Sequence, residues 1–146
     1  MRRFVSLLVV ALIAVTVGIS GAGTSKSAHT PALQGYCPVA YVAMGKAVKG
    51  DPKISSTYEG HRYLFTNADA KKMFDADPSK YQVAYDGWCA TAVSMGKKVK
   101  SVPAQFSIHG GKTYLFSSAE AKKAFDGMPE GVIMKADEQW ASLATK

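Results

Sequence analysis

Apolar and polar positions follow one another along this chain in a pattern that occurs twice. YLFTNADAKKMF and YLFSSAEAKKAF are closely similar and begin 51 residues apart, at positions 63 and 114. In each segment a short aromatic run typical of a strand leads into apolar positions spaced i, i+3 and i+4, which is typical of a helix. A period of this size indicates one supersecondary unit that is used twice.

Each copy predicts a β-hairpin. Glu59-Gly60 in the first copy and His109-Gly110-Gly111 in the second are hairpin-turn sequences, because glycine adopts a positive φ at little cost. The flanking segments SSTY and RYLF, and QFSI and TYLF, are rich in the aromatic and β-branched residues of strands. We therefore expect two short antiparallel strands in each copy.

A helix is predicted directly after each hairpin. Residues 117–120 (SSAE) fit a capping box that begins at Ser117, and residues 66–69 (TNAD) are a close relative. The apolar face should pack on the hairpin through Ala70, Met73 and Phe74 in the first copy and Ala121, Ala124 and Phe125 in the second. Asp77-Pro78 predicts the start of a further helical turn.

A single hairpin with a two-turn helix buries too little surface to be stable alone, whereas two such units can share a core. The sequence therefore predicts an α+β fold in which two hairpin–helix repeats form one small domain. We expect a pseudo-twofold arrangement, with both hairpins in one small antiparallel sheet. A C-terminal helix over ADEQWASL (residues 136–143) should close the core with Trp140 and Leu143 turned inward.

The start of the chain predicts export. Arg2 and Arg3 precede an apolar run over residues 4–19, and small residues follow up to Ala22. This pattern is typical of a secretory signal peptide over residues 1–22, with an uncleaved anchor as the alternative. Residues 23–34 are small and polar and predict a flexible leader. Repeat 1 should then cover residues 35–87, and repeat 2 with the C-terminal helix residues 88–146, in the periplasm or outside the cell.

Composition narrows the class of function. The chain has 18 basic and 11 acidic residues, a net charge of +7, but its lysines form no continuous block. We interpret them as solvated faces, and expect no nucleic-acid partner and no membrane contact after signal cleavage. A nucleophile elbow, a phosphate-binding glycine loop and a helical zinc-protease motif are all missing from the sequence, so we expect no enzymatic activity.

Several motifs together resemble one known family. GYCPVAYV begins the first repeat, Gly-Asp-Pro follows at residues 50–52, and Tyr-x-Gly-x-x-Tyr-x-Phe forms its hairpin. With the short helix that ends in Phe74, and Asp-Pro-x-x-Tyr at residues 77–81, this region resembles the YHS domain family. The following repeat is similar to the second half of exported bacterial members. The resemblance implies a compact α+β fold and the binding of heavy metals, above all copper, through cysteines.

The sequence departs from the family at the expected metal ligands. Where many members carry two cysteines after the hairpin, this chain has Thr66 and Ala70 in the first copy and Ser117 and Ala121 in the second. A four-ligand zinc site is therefore not available there. Cys37 stands where the exported relatives usually have aspartate, and Cys89 stands where they also carry cysteine. The chain thus has one thiol in each repeat.

Three arrangements of Cys37 and Cys89 are open. They form a disulfide that joins the repeats; they share a Cu(I) ion, with Met44, Met95 or His61 as further ligands; or each is separate. Met44 and Met95 are alternatively core residues beneath a turn, and His61 a solvated side chain. The first two arrangements require that the repeats bring the two sulfur atoms within reach of each other.

The main functional hypothesis is an exported copper-binding protein that sequesters the ion or transfers it to a protein partner. One alternative is a disulfide-stabilised structural or interaction module without metal. Another is a redox or cofactor-binding accessory protein. A homodimer is compatible with all three.

Overall fold

The computed structural model describes residues 32–145. The predicted signal peptide and residues 23–31 of the predicted leader lie outside them. No helix in this part of the chain has the length and apolar character needed to cross a bilayer. The last leader residues, 32–34, belong to the folded part: they lie in a 3-10 turn, and Leu33 is buried.

Two stretches with the same order of elements follow each other, and we call them unit 1 (residues 32–83) and unit 2 (residues 84–145). Unit 1 contains a first 3-10 turn (Ala32–Gly35), α1 (Pro38–Met44), β1 (Asp51–Tyr58), β2 (His61–Phe65), α2 (Ala68–Ala76) and α3 (Pro78–Tyr81). Unit 2 contains a second 3-10 turn (Ala84–Gly87), α4 (Ala90–Ser94), β3 (Val102–His109), β4 (Lys112–Phe116), α5 (Ala119–Gly127) and α6 (Pro129–Leu143). The predicted α+β class is confirmed.

The two hairpins have the same register and the same irregularity. Ser55 pairs with Leu64 in unit 1, and Phe106 pairs with Leu115 in unit 2, each next to a shift in register. Both turns have two consecutive positive φ angles, 49° and 79° at Glu59-Gly60 and 57° and 77° at Gly110-Gly111. This is the twist that two-residue hairpin loops require, as the sequence predicts.

The hairpins do not join into one sheet, so that prediction was wrong. Each is a separate two-stranded antiparallel sheet. The reason lies at the free edge of β4, where Val83 and Cys89 form single parallel bridges with Thr113 and Leu115. Because this edge is occupied by the segment that connects the units, it does not pair with the other hairpin.

The helices after the hairpins begin one residue later than predicted. The N-caps are Asn67 and Ser118, whose side chains accept hydrogen bonds from the backbone N–H of Ala70 and Ala121. Ser117 is therefore not the cap. Asp77 caps α3 as predicted, since its carboxylate accepts from the N–H of Lys80.

One phenylalanine in each helix holds the hairpin beneath it. Phe74 contacts Tyr63 and Phe65 with ring centroids 4.9 and 5.2 Å apart. Phe125 makes the same contacts with Tyr114 and Phe116, at 5.0 Å each. Fewer residues of each helix are buried than predicted. A two-stranded sheet is small and contacts only a narrow strip of the nine-residue helix. Met73 and Ala124, which were predicted to face the hairpin, are exposed.

The C-terminal helix is longer than predicted and packs on α4. It begins at Pro129 instead of residue 136, because proline is favoured in the first turn of a helix. Leu143 is buried as predicted, and Trp140 is half-buried against Tyr85, with centroids 5.7 Å apart. The Tyr85 hydroxyl also donates to Asp137 of α6 at 2.8 Å.

Buried side chains form two cores, and the contact between the units belongs to the first. This core contains Cys37, Tyr41 and Phe74 of unit 1 and also Leu115 of unit 2. The Tyr41 hydroxyl donates to the carbonyl of Pro103 at 3.0 Å, and its ring meets Phe106 edge-on at 4.9 Å.

The second core lies inside unit 2. It contains Cys89, Val93 and Phe125 together with Ala136 and Leu143 of α6. Val93 is the counterpart of Tyr41, and unit 2 lacks one residue after this position, before the end of the helix. Corresponding faces of α1 and α4 are therefore covered differently, the first by the hairpin of unit 2 and the second by α6.

Candidate ligand-binding site

The two cysteines do not meet. Each is the residue before a short helix, Cys37 before α1 and Cys89 before α4, and each is almost completely buried. Both are free thiols and not at disulfide distance, so the predicted disulfide is not formed. The physical reason is that the units meet through Tyr41 and Phe106, which leaves Cys37 in the first core and Cys89 in the second.

The other predicted metal ligands are not gathered around the cysteines either. Met44 is the last residue of α1, at the opposite end of that helix from Cys37. Met44 and Met95 are 55% and 63% exposed, so the prediction that they fill the core was also wrong. His61 is exposed at the start of β2. Among residues 32–145, no three His, Cys, Asp or Glu side chains come together as a metal site would require.

The polar neighbour of Cys89 is Ser117, which directly follows the hairpin of unit 2. The Ser117 hydroxyl is 3.4 Å from the Cys89 sulfur and donates a hydrogen bond to it. Ser117 occupies the site after the hairpin where the YHS resemblance implies a cysteine. The two positions are thus adjacent in space, but serine is a much poorer ligand than thiolate for a soft metal.

A cleft of about 500 Å³ lies between the units. Its wall combines the first 3-10 turn and the start of β2 with the segment around the second 3-10 turn and the loop before β3. The lining residues are Ala32, Leu33, Gln34, His61, Asp86, Gly87, Trp88, Lys98, Lys100 and Ser101. This volume is within the usual range for small-molecule and cofactor sites.

The backbone that forms the cleft is strained in the same way on both sides. Leu33 and Gln34 in unit 1, and Tyr85 and Asp86 in unit 2, have φ between 50° and 55°. A left-handed conformation costs a residue with a side chain about 1–2 kcal/mol, and such residues concentrate at functional sites. Three of these four residues line the cleft.

Hydrogen bonds fix the two walls relative to each other. The side-chain amide of Gln34 donates to the carbonyl of Ser101 at 2.7 Å, and the Ser101 hydroxyl donates to the carbonyl of Gly87. Gly87 has a φ of 80°, and a Cβ there would lie 3.0 Å from the Leu33 side chain. Glycine is therefore required at this position. The bond from Gln34 to Ser101 crosses between the units, and the bond from Ser101 to Gly87 lies within unit 2.

The charges in the cleft are mostly positive. Lys98 and Lys100 on the unit 2 wall carry positive charges, and Asp86 is the acidic residue among those that line the cleft. The Lys98 ammonium is 5.7 Å from the ring centroids of both Trp88 and Trp140. It is therefore within cation–π range of each indole.

Buried tyrosines near the cleft and in the first core remain protonated. Burial raises the pKa of Tyr63 to about 12 and that of Tyr41 further. Burial, together with the hydrogen bond to Asp137, also raises the pKa of Tyr85 well above its ordinary range. These hydroxyls act as hydrogen-bond donors to fixed partners in the two cases where a partner is described, Tyr41 and Tyr85.

The cleft was not predicted from the sequence, although a repeated sequence motif marks both of its walls. LQGYC at residues 33–37 and YDGWC at residues 85–89 share a glycine, an aromatic residue and a cysteine at the same spacing. These are the two left-handed turns and the residues that follow them. Extending the repeat upstream of the cysteines would have located both walls.

Comparison with protein-family models, with curated proteins and with solved structures found no match. The resemblance to the YHS family therefore stays a prediction.

Proposed function

We propose that this chain is an exported, non-enzymatic binding protein of the YHS type, in which two related units hold a small ligand in the cleft between them. The observation that carries the proposal is that both units contribute strained, hydrogen-bonded backbone to one cleft of ligand size. Backbone strain persists only where the surroundings enforce it, which is typical of ligand sites. This corresponds to the cofactor-binding accessory protein among the functions that the sequence suggests.

The proposal includes a duplicated architecture. Equivalent side chains make equivalent contacts in both units: Phe74 and Phe125 pack on their hairpins, and Ser56 and Ser107 donate to Asp75 and Asp126. The units are arranged head to tail, since the hairpin of unit 2 covers α1 and α6 takes that place on α4. In this arrangement residues of both 3-10 turns line one cleft.

Copper binding through Cys37 and Cys89 stays a second prediction. Two reduced thiols in a chain that we expect to be exported favour it over the structural disulfide module. Their burial in separate cores means that a shared ion requires the units to repack so that the two sulfur atoms come together. Titration of the reduced protein with Cu(I) tests it: a one-to-one complex that is lost in both Cys37→Ser and Cys89→Ser would support a shared site. Transfer to a partner protein and homodimer formation depend on that result.

The cleft is tested by blocking it. Ala32 lines the cleft and is half-buried, so Ala32→Trp should fill it, whereas Ala124→Trp on the exposed face of α5 is a matched control. A screen of aromatic and cofactor-like small molecules, followed through the amide chemical shifts of the mature protein, should give hits that move Gly87, Trp88 and Ser101. Ala32→Trp should abolish these shifts and Ala124→Trp should not. Hits that map elsewhere, or none at all, would contradict the proposal.

A further inference from the structure

We infer that the ligand of the cleft is a small aromatic anion, and this inference rests on the proposed function. Its ring would lie on Trp88, and its acidic group would bind the ammonium groups of Lys98 and Lys100. The juxtaposition of one indole with two lysines on the same wall carries the inference.

The backbone fixes Lys100 beside Trp88. The two residues form an antiparallel bridge, and the N–H of the next residue, Cys89, donates to the carbonyl of Val99 at 3.0 Å. Residues directly opposite each other in such a bridge point to the same side, with Cβ atoms about 4.5–5.5 Å apart. The side chains of Trp88 and Lys100 are therefore neighbours.

Lys98 also lies close to the same indole. Its ammonium lies 5.7 Å from the ring centroids of Trp88 and of Trp140, so two aromatic faces orient it. An aromatic anion can stack on the indole and neutralise the lysines at once. A cationic ligand would meet two ammonium groups at the same place. Asp86 adds a negative charge at the rim and disfavours a second acidic group on the ligand.

Unit 1 contains a natural comparison for this arrangement. Tyr36 and Lys49 form the corresponding antiparallel bridge, and the Lys49 ammonium lies 5.4 Å from the Tyr36 ring. The counterpart of Lys98 is Ala47, however, and none of these three residues lines the cleft. Unit 1 thus has a single lysine on its aromatic residue, so Lys49→Met is a matched control for Lys100→Met.

The probe pair is anilinonaphthalene sulfonate and its uncharged parent, phenylnaphthylamine, both of which fluoresce when bound. Titration of the mature protein should show one saturable site for the sulfonate, with an affinity about tenfold higher than for the neutral parent, as one charge-assisted contact provides. Lys100→Met should reduce that difference, with Lys98 left as the remaining cation, and leave the neutral probe unchanged. Lys49→Met should affect neither probe. Because the contact is ionic, higher salt should weaken only the sulfonate.

The outcomes separate this inference from the proposed function. If both probes bind equally well and both are lost in Ala32→Trp, the cleft binds ligands but the anion preference is wrong. If Lys49→Met weakens the sulfonate as much as Lys100→Met does, the lysines act through general charge and the inference also fails. If neither probe binds, or Ala32→Trp changes nothing, the proposed function fails with it.

Discussion

We call the face of each hairpin that packs on α2 or α5 its inner face, and the opposite face its outer face. The inner faces make equivalent aromatic contacts in the two units, whereas the outer faces differ. In unit 2 the outer face carries Phe106, Ile108, Thr113 and Leu115, and the counterparts in unit 1 are Ser55, Thr57, Arg62 and Leu64. Phe106 packs on Tyr41 of α1. In unit 1, Arg62 instead donates to the carbonyl of Pro52 in its own hairpin at 2.6 Å.

This difference explains which hairpin lies at the contact between the two units. A repeat whose outer face is apolar must be covered by a neighbour, and terminal repeats need polar outer faces or a cap. The unit 1 hairpin carries Ser55, Thr57 and Arg62 on this face, which is more polar than its counterpart in unit 2. In unit 2, α6 covers α4, and the corresponding surface of α1 in unit 1 is covered by the hairpin of unit 2. Residues on the inner faces therefore hold each unit together, and residues on the outer faces determine how the two units contact each other.

The largest effect should come from the inner positions, where the units are alike. Phe74→Ala and Phe125→Ala each remove a fully buried ring with several aromatic contacts, and each should lower the free energy of unfolding by about 3–5 kcal/mol. Chemical denaturation followed by far-UV circular dichroism would measure both. The two losses should be similar, and each variant should unfold in one transition, because the units share a core.

A large loss in one variant with little effect in the other would contradict the equivalence of the units. A second transition in either variant would show that the contact through Tyr41 and Phe106 is too weak to couple them.

The outer positions should respond unequally. Phe106→Ser makes unit 2 resemble unit 1 and removes the ring that packs on Tyr41. Since Phe106 is half-buried, we expect a loss of about 2 kcal/mol, below the range for a fully buried phenylalanine. The reverse exchange, Ser55→Phe, is the matched control; Ser55 is also half-buried, but no ring contact is lost there, so the change in stability should be smaller than for Phe106→Ser. Equal losses in the two variants would mean that the outer faces do not differ in role.

The parts of the fold that were predicted correctly are those determined by residues close together in the sequence. The turns at Glu59-Gly60 and Gly110-Gly111, the cap at Asp77 and the inward position of Leu143 follow from turn chemistry, capping and periodicity. Local signals shift easily by one residue, however, and Ser118 replaces Ser117 as the cap because either serine could serve.

The site was not predictable in the same way. Whether Cys37 and Cys89 meet depends on how the units pack, which is decided by the contact between Tyr41 and Phe106, residues 65 positions apart in sequence. Nothing local to either cysteine encodes that contact. The left-handed conformation of Leu33 and Tyr85 is equally hidden, since neither residue favours it and tertiary packing enforces it.

A smaller effect of opposite sign is expected at Thr113, whose counterpart is Arg62. Thr113 is 1% exposed at the contact between the units, and its hydroxyl has no described hydrogen-bond partner. Thr113→Val keeps the shape and removes the unsatisfied group, so it should raise the free energy of unfolding by about 1 kcal/mol. Differential scanning calorimetry would show a higher melting temperature. Thr57→Val, on the corresponding face of unit 1, is exposed and should have little effect; a loss of stability in Thr113→Val would mean that the hydroxyl does bind a partner.

The smallest effect concerns acid stability, where the two units should again behave alike. Hydrogen bonds from Lys71 and Ser56 hold the pKa of Asp75 below its ordinary value of 3.8, and those from Lys122 and Ser107 do the same for Asp126. A pKa that is lower in the folded than in the unfolded protein gives stability that is fully present above the unfolded value and is lost as the pH falls through the folded one.

Because both pairs are exposed i,i+4 pairs, Asp75→Asn and Asp126→Asn should each cost no more than about 0.5 kcal/mol at pH 7. The difference from the unsubstituted protein should vanish at a pH below both values, as thermal unfolding at a series of pH values would show. A loss of stability that persists in acid would mean that the substitution acts through helix packing and not through charge. A loss in only one of the two variants would mean that the two ion pairs contribute different free energies despite their similar geometry.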